Sequence, residues 1–484
     1  MNGITTYKHN NAYITVLLTL IMTVLLSLCL TQIEGTRAGA VRLEAQIKGE
    51  TAMNSVLAEY HRQLLARYNL FAVDCSYGGR TATPENTAAH LKEYLDLNLN
   101  LKDLFLSEYL YRDFLGMKAE KVQIPGVLFL TDRDGKVLRQ RCAEAVRDDL
   151  FLEDLQLLLD FATVVEAQEL ESMDIYGAYL EAEQEVESRR KHMVIVDEEE
   201  VPVEYNSPFA GVLSELSGNL LNLTVGGEIS EKSCEGDALF SDRKKAGQIN
   251  VGNMEPEKES FPEEATERLL FQGYIGTYFG CYTDPLEGTA LDYEMEHLLC
   301  GKRDDRRDFL GTLERLYALR SAIDYICIRS DAGKRAAAEA LAVVLAFLVL
   351  TPELEEVFRE VILLGWSLVE AAGDVKTLCK GGKVPFWKGE GSWGSSLESA
   401  MSGAVTEGRS EGGLDYEAYL QIFLFLMGAE KLTDRVADLM EANIRQTPGN
   451  AGFRMDGCID RFEAQIRFDS AGGQVSLTRI RGYD

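Results

Sequence analysis

The chain has 484 residues, 46% of them hydrophobic, which is enough for more than one buried core and excludes disorder throughout. Its 78 Asp and Glu outnumber 49 Lys and Arg, for a formal net charge of −29 at pH 7. A field of that sign repels phosphate backbones and anionic headgroups, so no nucleic-acid partner is expected and charge alone does not attach the chain to a membrane.

The first predicted element is the most informative. From Ile14 to Ile33 the sequence carries no charged side chain. A helix of about 20 residues rises about 30 Å, enough to cross a hydrocarbon core. Ile14, Leu17, Leu18, Leu20, Ile21, Val24, Leu25, Leu26, Leu28, Leu30 and Ile33 form the predicted membrane anchor. Thr15, Thr19, Thr23, Ser27 and Thr31 can bond their own helix carbonyls. A cleaved signal peptide would have a shorter apolar region and a small-x-small cleavage site. Here Gln32, Ile33, Glu34, Gly35, Thr36 and Arg37 follow, which reads as a helix leaving the bilayer, and Leu28 before Cys29 lacks the small residue that lipidation needs. An uncleaved single span, held by membrane lipid, is the expectation. Lys8 and His9 on one flank against Arg37, Arg42 and Lys48 on the other favour the body inside by basic count, although a long body is translocated regardless of a few basic residues.

Helical spacing continues beyond the apolar run and predicts one helix to about Tyr68. Ala38, Val41, Ala45, Ala52 and Val56 make a candidate helix-contact face, serving either a neighbouring helix or the protein's own head. Gly35, Gly39 and Gly49 interrupt it, each costing up to about 1 kcal/mol relative to alanine. Residues 1–70 are therefore read as anchor and stalk.

Residues 71–225 read as a first α+β region, with a helix from Pro84 to about Asn98. A β-hairpin is expected near 119–141, with Val137 to Arg141 as its returning strand. Asp132 and Asp134 before Gly135 have the spacing that opens a calcium loop, but the remaining ligands and closing Glu are missing, so a plain turn is expected. Residues 226–264 are polar and read as a linker. Residues 265–446 form a predicted helical domain, in which Ala336 to Leu350 is one arm of a buried helical hairpin; its fifteen residues include Glu339 and are short for a span. Gly381 to Ser396 is an expected exposed loop containing Trp387 and Trp393. Residues 447–484 alternate apolar and polar around Ser470-Ala471-Gly472-Gly473 and predict a terminal β-hairpin. The fold class is α+β, mostly helical, with short hairpins and a transmembrane helix extended as a stalk.

Chemistry is sparsely marked. The five histidines, His9, His61, His90, His192 and His297, lie in no HExxH pattern, and no GxSxG, Walker, kinase or Rossmann signature occurs. The nine cysteines include no CxxC pair and are read mainly as buried thiols. No catalytic residue, metal ligand, cofactor or small-molecule substrate is assigned, and no enzymatic activity is expected. Two other classes stay open: a hydrolase of cell-wall polymers built from unmarked carboxylates, and a surface adhesin or ligand-binding module using Trp387 and Trp393.

The opening AYITVLLTLIMTVLLSLCLTQIEGTRAGAVRLEAQIKGETAMNSVLAEYHRQLLARYNLFAVD, with YEMEHLLCGKRDDRRDFLGTLERLYALRSAIDYI, GGKVPFWKGEGSW and FRMDGCIDRFEAQIRF, resembles an uncharacterised family of single-pass membrane proteins of Gram-positive bacteria. Its members are encoded with tight-adherence (Tad) pilus genes. The opening is also similar to the minor pseudopilins of that machinery, in which a transmembrane helix continues into the head domain. The resemblance implies a structural or assembly role at a surface pilus or secretion apparatus, an extracytoplasmic body, and other proteins of that machinery as partners. Ala12 stands where a prepilin peptidase would need Gly, and no Glu lies near the start of the apolar run. A permanently anchored accessory protein is therefore expected rather than a processed fibre subunit.

Overall fold

The computed structural model describes residues 10–79, 81–99, 115–148, 152–196, 199–216, 229–236, 238–255, 264–389, 391–403, 405, 412–470 and 473–483. Lys8, His9, residues 226–228, 237 and 256–263 of the expected linker, and Ala471 and Gly472 of the terminal turn lie outside the described residues. The protein is α+β and mostly helical, opening on a long apolar helix.

Numbered along the chain, α1 (Asn10–Leu57) and α2 (Arg62–Tyr68) precede β1 (Val73–Asp74), α3 (Pro84–Leu99) and β2 (Lys118–Phe129). Then come α4 (Lys136–Val146), α5 (Leu152–Ala167), α6 (Ile175–Arg189), and the hairpin β3 (Met193–Val196) and β4 (Glu199–Pro202). After α7 (Phe240–Lys245) follow α8 (Glu264–Tyr278), α9 (Glu294–Cys300), α10 (Asp305–Ser330), α11 (Ala332–Leu348) and α12 (Glu355–Cys379). The remainder comprises α13 (Leu397–Met401), α14 (Tyr416–Phe425), α15 (Ala429–Arg445), β5 (Cys458–Ser470) and β6 (Gly473–Gly482). These elements form two units, one of residues 1–132, 249–258 and 452–484, the other of residues 133–248 and 259–451.

In the first unit the carboxyl-terminal half of α1 packs on an antiparallel sheet. Strand β5 is central, with β2 on one side and β1 and β6 on the other. Along β5, Phe462, Ala464, Ile466 and Phe468 are buried while Gln465, Arg467 and Asp469 are exposed, the period-two pattern of a sheet with one covered face. Val41, Ala45, Ala52, Met53 and Val56 of α1 meet that face, joined by Leu91 and Leu95 of α3. Strand β2 tolerates Pro125 because it is an edge: its register shifts between Gln123 and Gly126. The N–H groups of Asn253 and Met254 then donate to the Val127 carbonyl at 2.9 and 3.2 Å and cover the edge.

Several elements differ from the sequence reading. The helix that begins the chain ends at Leu57, and His61 starts α2 by accepting the Leu64 N–H on Nδ1 at 3.2 Å. The interior glycines do not break it; a separate cap does. The expected hairpin near 119–141 is absent. Strand β2 pairs instead with β5, and Val137 to Arg141 belongs to α4. Val137, Leu138, Cys142, Ala143 and Val146 are buried in a helical pattern that five residues were too few to reveal. Asp132 is a turn residue: its carboxylate accepts the N–H groups of Phe129 at 2.7 Å and Gly252 at 2.8 Å.

The second unit is helical around α12, whose residues from Val361 to Val375 are all buried. Helix α11 pairs with it through an alanine seam, Ala338, Ala342 and Ala346. The expected buried hairpin is thus buried on one side only: Val343, Val344, Phe347 and Leu348 are exposed. The expected linker is also structured in part, since it holds α7. Arg243 of α7 makes a buried bidentate pair with Glu441 of α15, both bonds at 2.7 Å. Part of its polarity is charge that pairs within the fold, as Arg243 does.

Candidate functional site

All the predicted anchor residues, Ile14, Leu17, Leu18, Leu20, Ile21, Val24, Leu25, Leu26, Leu28, Leu30 and Ile33, lie on α1 and are exposed. Hydroxyls that would be costly in lipid are satisfied within the helix: Thr19 donates to the Val16 carbonyl at 2.9 Å, Ser27 to Val24 at 2.8 Å and Thr31 to Ser27 at 2.8 Å. Among the described residues, Tyr13–Leu57 is the helix long and apolar enough to cross a membrane.

The candidate contact face divides. Val41, Ala45, Ala52 and Val56 are at most 2% exposed and sit in the core of the first unit, whereas Ala38 is exposed. The face is used by the protein's own head. Helix α1 therefore joins an uncovered apolar half to a half built into a domain core, with no break between them.

The second unit contains a polar cavity of about 570 Å³, within the range of small-ligand sites. Ser241, Asp242 and Lys245 of α7 line it, with His297 of α9, Gly301 and Arg303 of the following loop, and Glu430, Lys431, Asp434, Arg435 and Asp438 of α15. His297 is only 2% exposed, and its Nδ1 lies 2.9 Å from Asp308 Oδ2. The other Asp308 oxygen accepts the Lys302 N–H at 2.7 Å. Nδ1 also receives the Arg303 N–H at 3.2 Å, so protein groups occupy that side of the ring and Nε2 is the nitrogen left for the cavity. Asp308 Oδ1 and the Gly301 turn after α9 bring this pair together across 11 residues.

The carboxylates of the cavity wall are engaged. Asp242 pairs with Arg303 at 2.6 Å; burial pushes its pKa up, but the guanidinium outweighs burial and holds it below the usual range. Asp438 accepts the Ser241 N–H and hydroxyl at 2.8 and 2.6 Å and also meets Arg303 at 3.3 Å. Glu430 and Asp434 share Lys244, at 2.7 and 3.1 Å. The cations are less committed. Arg435 donates to the main-chain carbonyls of Leu298, Leu299 and Cys300 at 2.6, 2.7 and 3.2 Å, which closes the end of α9, and burial lowers its pKa. Gly301 has a left-handed φ of 71° and no room for a side chain, because Arg435 Nη2 would lie 2.5 Å from its Cβ. Among the described residues no ion pair engages Lys245 or Lys431.

A second cluster, of Arg320, Asp324, Glu370, Asp374 and Lys388, is sealed in the core and lines no cavity among those resolved around the described residues. Arg320 donates to Asp374 at 2.9 Å through Nε and to Asp324 at 2.8 Å through Nη2. Lys388 donates to Glu370 at 2.6 Å and Asp374 at 2.8 Å and lies 5.0 Å above the Trp393 ring. Burial raises the pKa of Asp324 far above the carboxylate range. Burial also pushes on Asp374, but Arg320 and Lys388 outweigh it and keep that group ionised. Arg320 and Lys388 thus serve three carboxyl groups, and burial disfavours the charged form of Asp324.

The sequence reading nominated neither constellation. Lys388 lies in a stretch read as an exposed loop, yet it is buried. Trp393 packs edge-on to Trp366 and Trp387 edge-on to Phe386. Trp387 is 40% exposed. No group of three or more His, Cys, Asp or Glu side chains able to hold a metal occurs among the described residues. A signal for the cavity was present in HLLCGKRDDRRD, where His297 and Asp308 flank the helix stop at Gly301, but no fixed motif marks it.

Residues 198–470, more than half of the chain, match the model of a family of unknown function, DUF5702. No curated protein and no solved structure matches the chain.

Proposed function

The chain belongs to the DUF5702 family, and from that premise we propose that it is a single-pass membrane protein acting as a structural or assembly component of a bacterial surface pilus or secretion apparatus of the tight-adherence kind found in Gram-positive bacteria. One observation carries this reading: α1 has an exposed apolar half and continues unbroken into a half whose Val41, Ala45, Ala52 and Val56 are core residues of the head. A span joined to its head by a continuous helix transmits position and force, where a flexible tether would not. The anchor's partner is membrane lipid. The body is outside the membrane on the extracytoplasmic side, a placement supported by the resemblance of the opening sequence to minor pseudopilins. The role is mechanical and assigns no catalytic step. Crosslinking the full chain in intact cells and identifying its neighbours tests it. Pilus or secretion-machinery proteins are the expected neighbours, and recovery of none would contradict the assembly role.

A further inference from the structure

The cavity between α7, α9 and α15 goes beyond an assembly role. Three observations meet there. His297 is almost wholly buried, turns Nδ1 to Asp308 and the Arg303 N–H, and has no hydrogen-bond partner for Nε2 among the described residues. The cavity's four carboxylates each have a cation in contact, Arg303 serving Asp242 and Asp438 and Lys244 serving Glu430 and Asp434. Lys245 and Lys431 reach the same space with no ion pair among the described residues, and Arg435 bonds main-chain carbonyls rather than a carboxylate. In a chain of net charge −29, a concave surface lined by as many basic as acidic side chains is a departure from the rest of the molecule.

We propose that this cavity is a binding site for an oxyanion, a phosphate or carboxylate group carried by a ligand of about sugar-phosphate size. Lys245 and Lys431 supply charge at the mouth and Arg435 supplies it from the wall. His297, held at Nδ1 by Asp308 and the Arg303 N–H, turns Nε2 to the bound oxygen as a donor. Asp308 fixes the orientation of the ring. The volume of about 570 Å³ exceeds what a bare oxyanion fills and leaves space for the remainder of the ligand. The site is independent of the anchoring role: it can bind whether or not the protein touches a pilus.

The test uses the full chain in detergent micelles with its histidine rings labelled for NMR, the His297 signal being assigned with His297→Gln. Inorganic phosphate and acetate are titrated separately, each against sodium chloride of equal ionic strength. A saturable shift of the His297 signal is expected with at least one. Response to phosphate alone assigns a phosphoryl ligand, and response to acetate of similar strength assigns a carboxylate. The exposed double variant Lys245→Ala/Lys431→Ala should weaken that binding about tenfold. No saturable shift beyond the chloride control, or a shift that the double variant leaves unchanged, would overturn the site.

Discussion

Leu477 of β6 fills the space that Gly49 leaves on α1: a Cβ on Gly49 would come within 2.3 Å of Leu477 Cδ2. The three glycines of α1 therefore have different roles. Nothing lies within 4 Å of a Cβ on Gly35 or Gly39. Gly49→Val should force the sheet off the helix and destabilise the first unit by about 1–3 kcal/mol. Gly35→Ala and Gly39→Ala should be neutral or stabilise the helix by up to about 1 kcal/mol. Urea midpoints of the three variants would check this, and equal losses from all three would contradict it.

The buried cluster makes a sharper distinction between two aspartates. Burial already disfavours the charge on Asp324, and Asp324→Asn keeps an oxygen to accept Arg320 Nη2, 2.8 Å away, so it should cost less than Asp374→Asn. Asp374→Asn removes the charge that Arg320 and Lys388 approach at 2.7 and 2.8 Å. It should cost about 3–5 kcal/mol, the usual result of leaving buried charge uncompensated. Denaturation midpoints should separate the two variants clearly.

Glu296 sets a pH dependence. Complete burial, the largest influence, raises its pKa from 4.5 to about 7 despite hydrogen bonds from the Tyr282 N–H at 2.9 Å and Tyr416 hydroxyl at 2.8 Å. The folded state then binds more protons than the unfolded state between those values, so this group's contribution falls as pH rises from 4.5 to about 7. The full loss is about 3 kcal/mol. Stability measured at about pH 5 and about pH 8 should differ less in Glu296→Gln than in the natural protein; an unchanged difference would contradict the assignment.

The nine cysteines form no disulfide. Burial pushes the thiols of Cys75, Cys234, Cys281 and Cys379 up to about 12. Since the thiolate is the reacting species, a thiol reagent at about pH 8 should label these four only after denaturation. Rapid labelling of the folded protein would show that these sites open.

What the sequence made legible was whatever depended on local pattern. The uncharged run of α1 and the alternation in β5 each reflect one face meeting one environment, and that needs no knowledge of the partner. The cluster around Arg320 was not legible because its members come from α10, α12 and the following loop, and a lysine in a glycine-rich stretch reads as solvated until its acidic partners are in place. Strand β2 misled for the same reason. Its partner β5 lies near the other end of the chain, so the nearest downstream segment, actually α4, was read as its hairpin mate. His297 and Asp308 stood close together in sequence, but only the turn at Gly301 and the packing of α9 on α10 make them a pair.

The assembly role requires α1 to stay in lipid with the rest of the chain attached. Alkaline carbonate extraction of membranes from cells making the full chain, followed by sequencing of the amino terminus in each fraction, tests this most directly. The protein should remain in the pellet with its apolar segment intact. Release into the supernatant with the original amino terminus still present would contradict it.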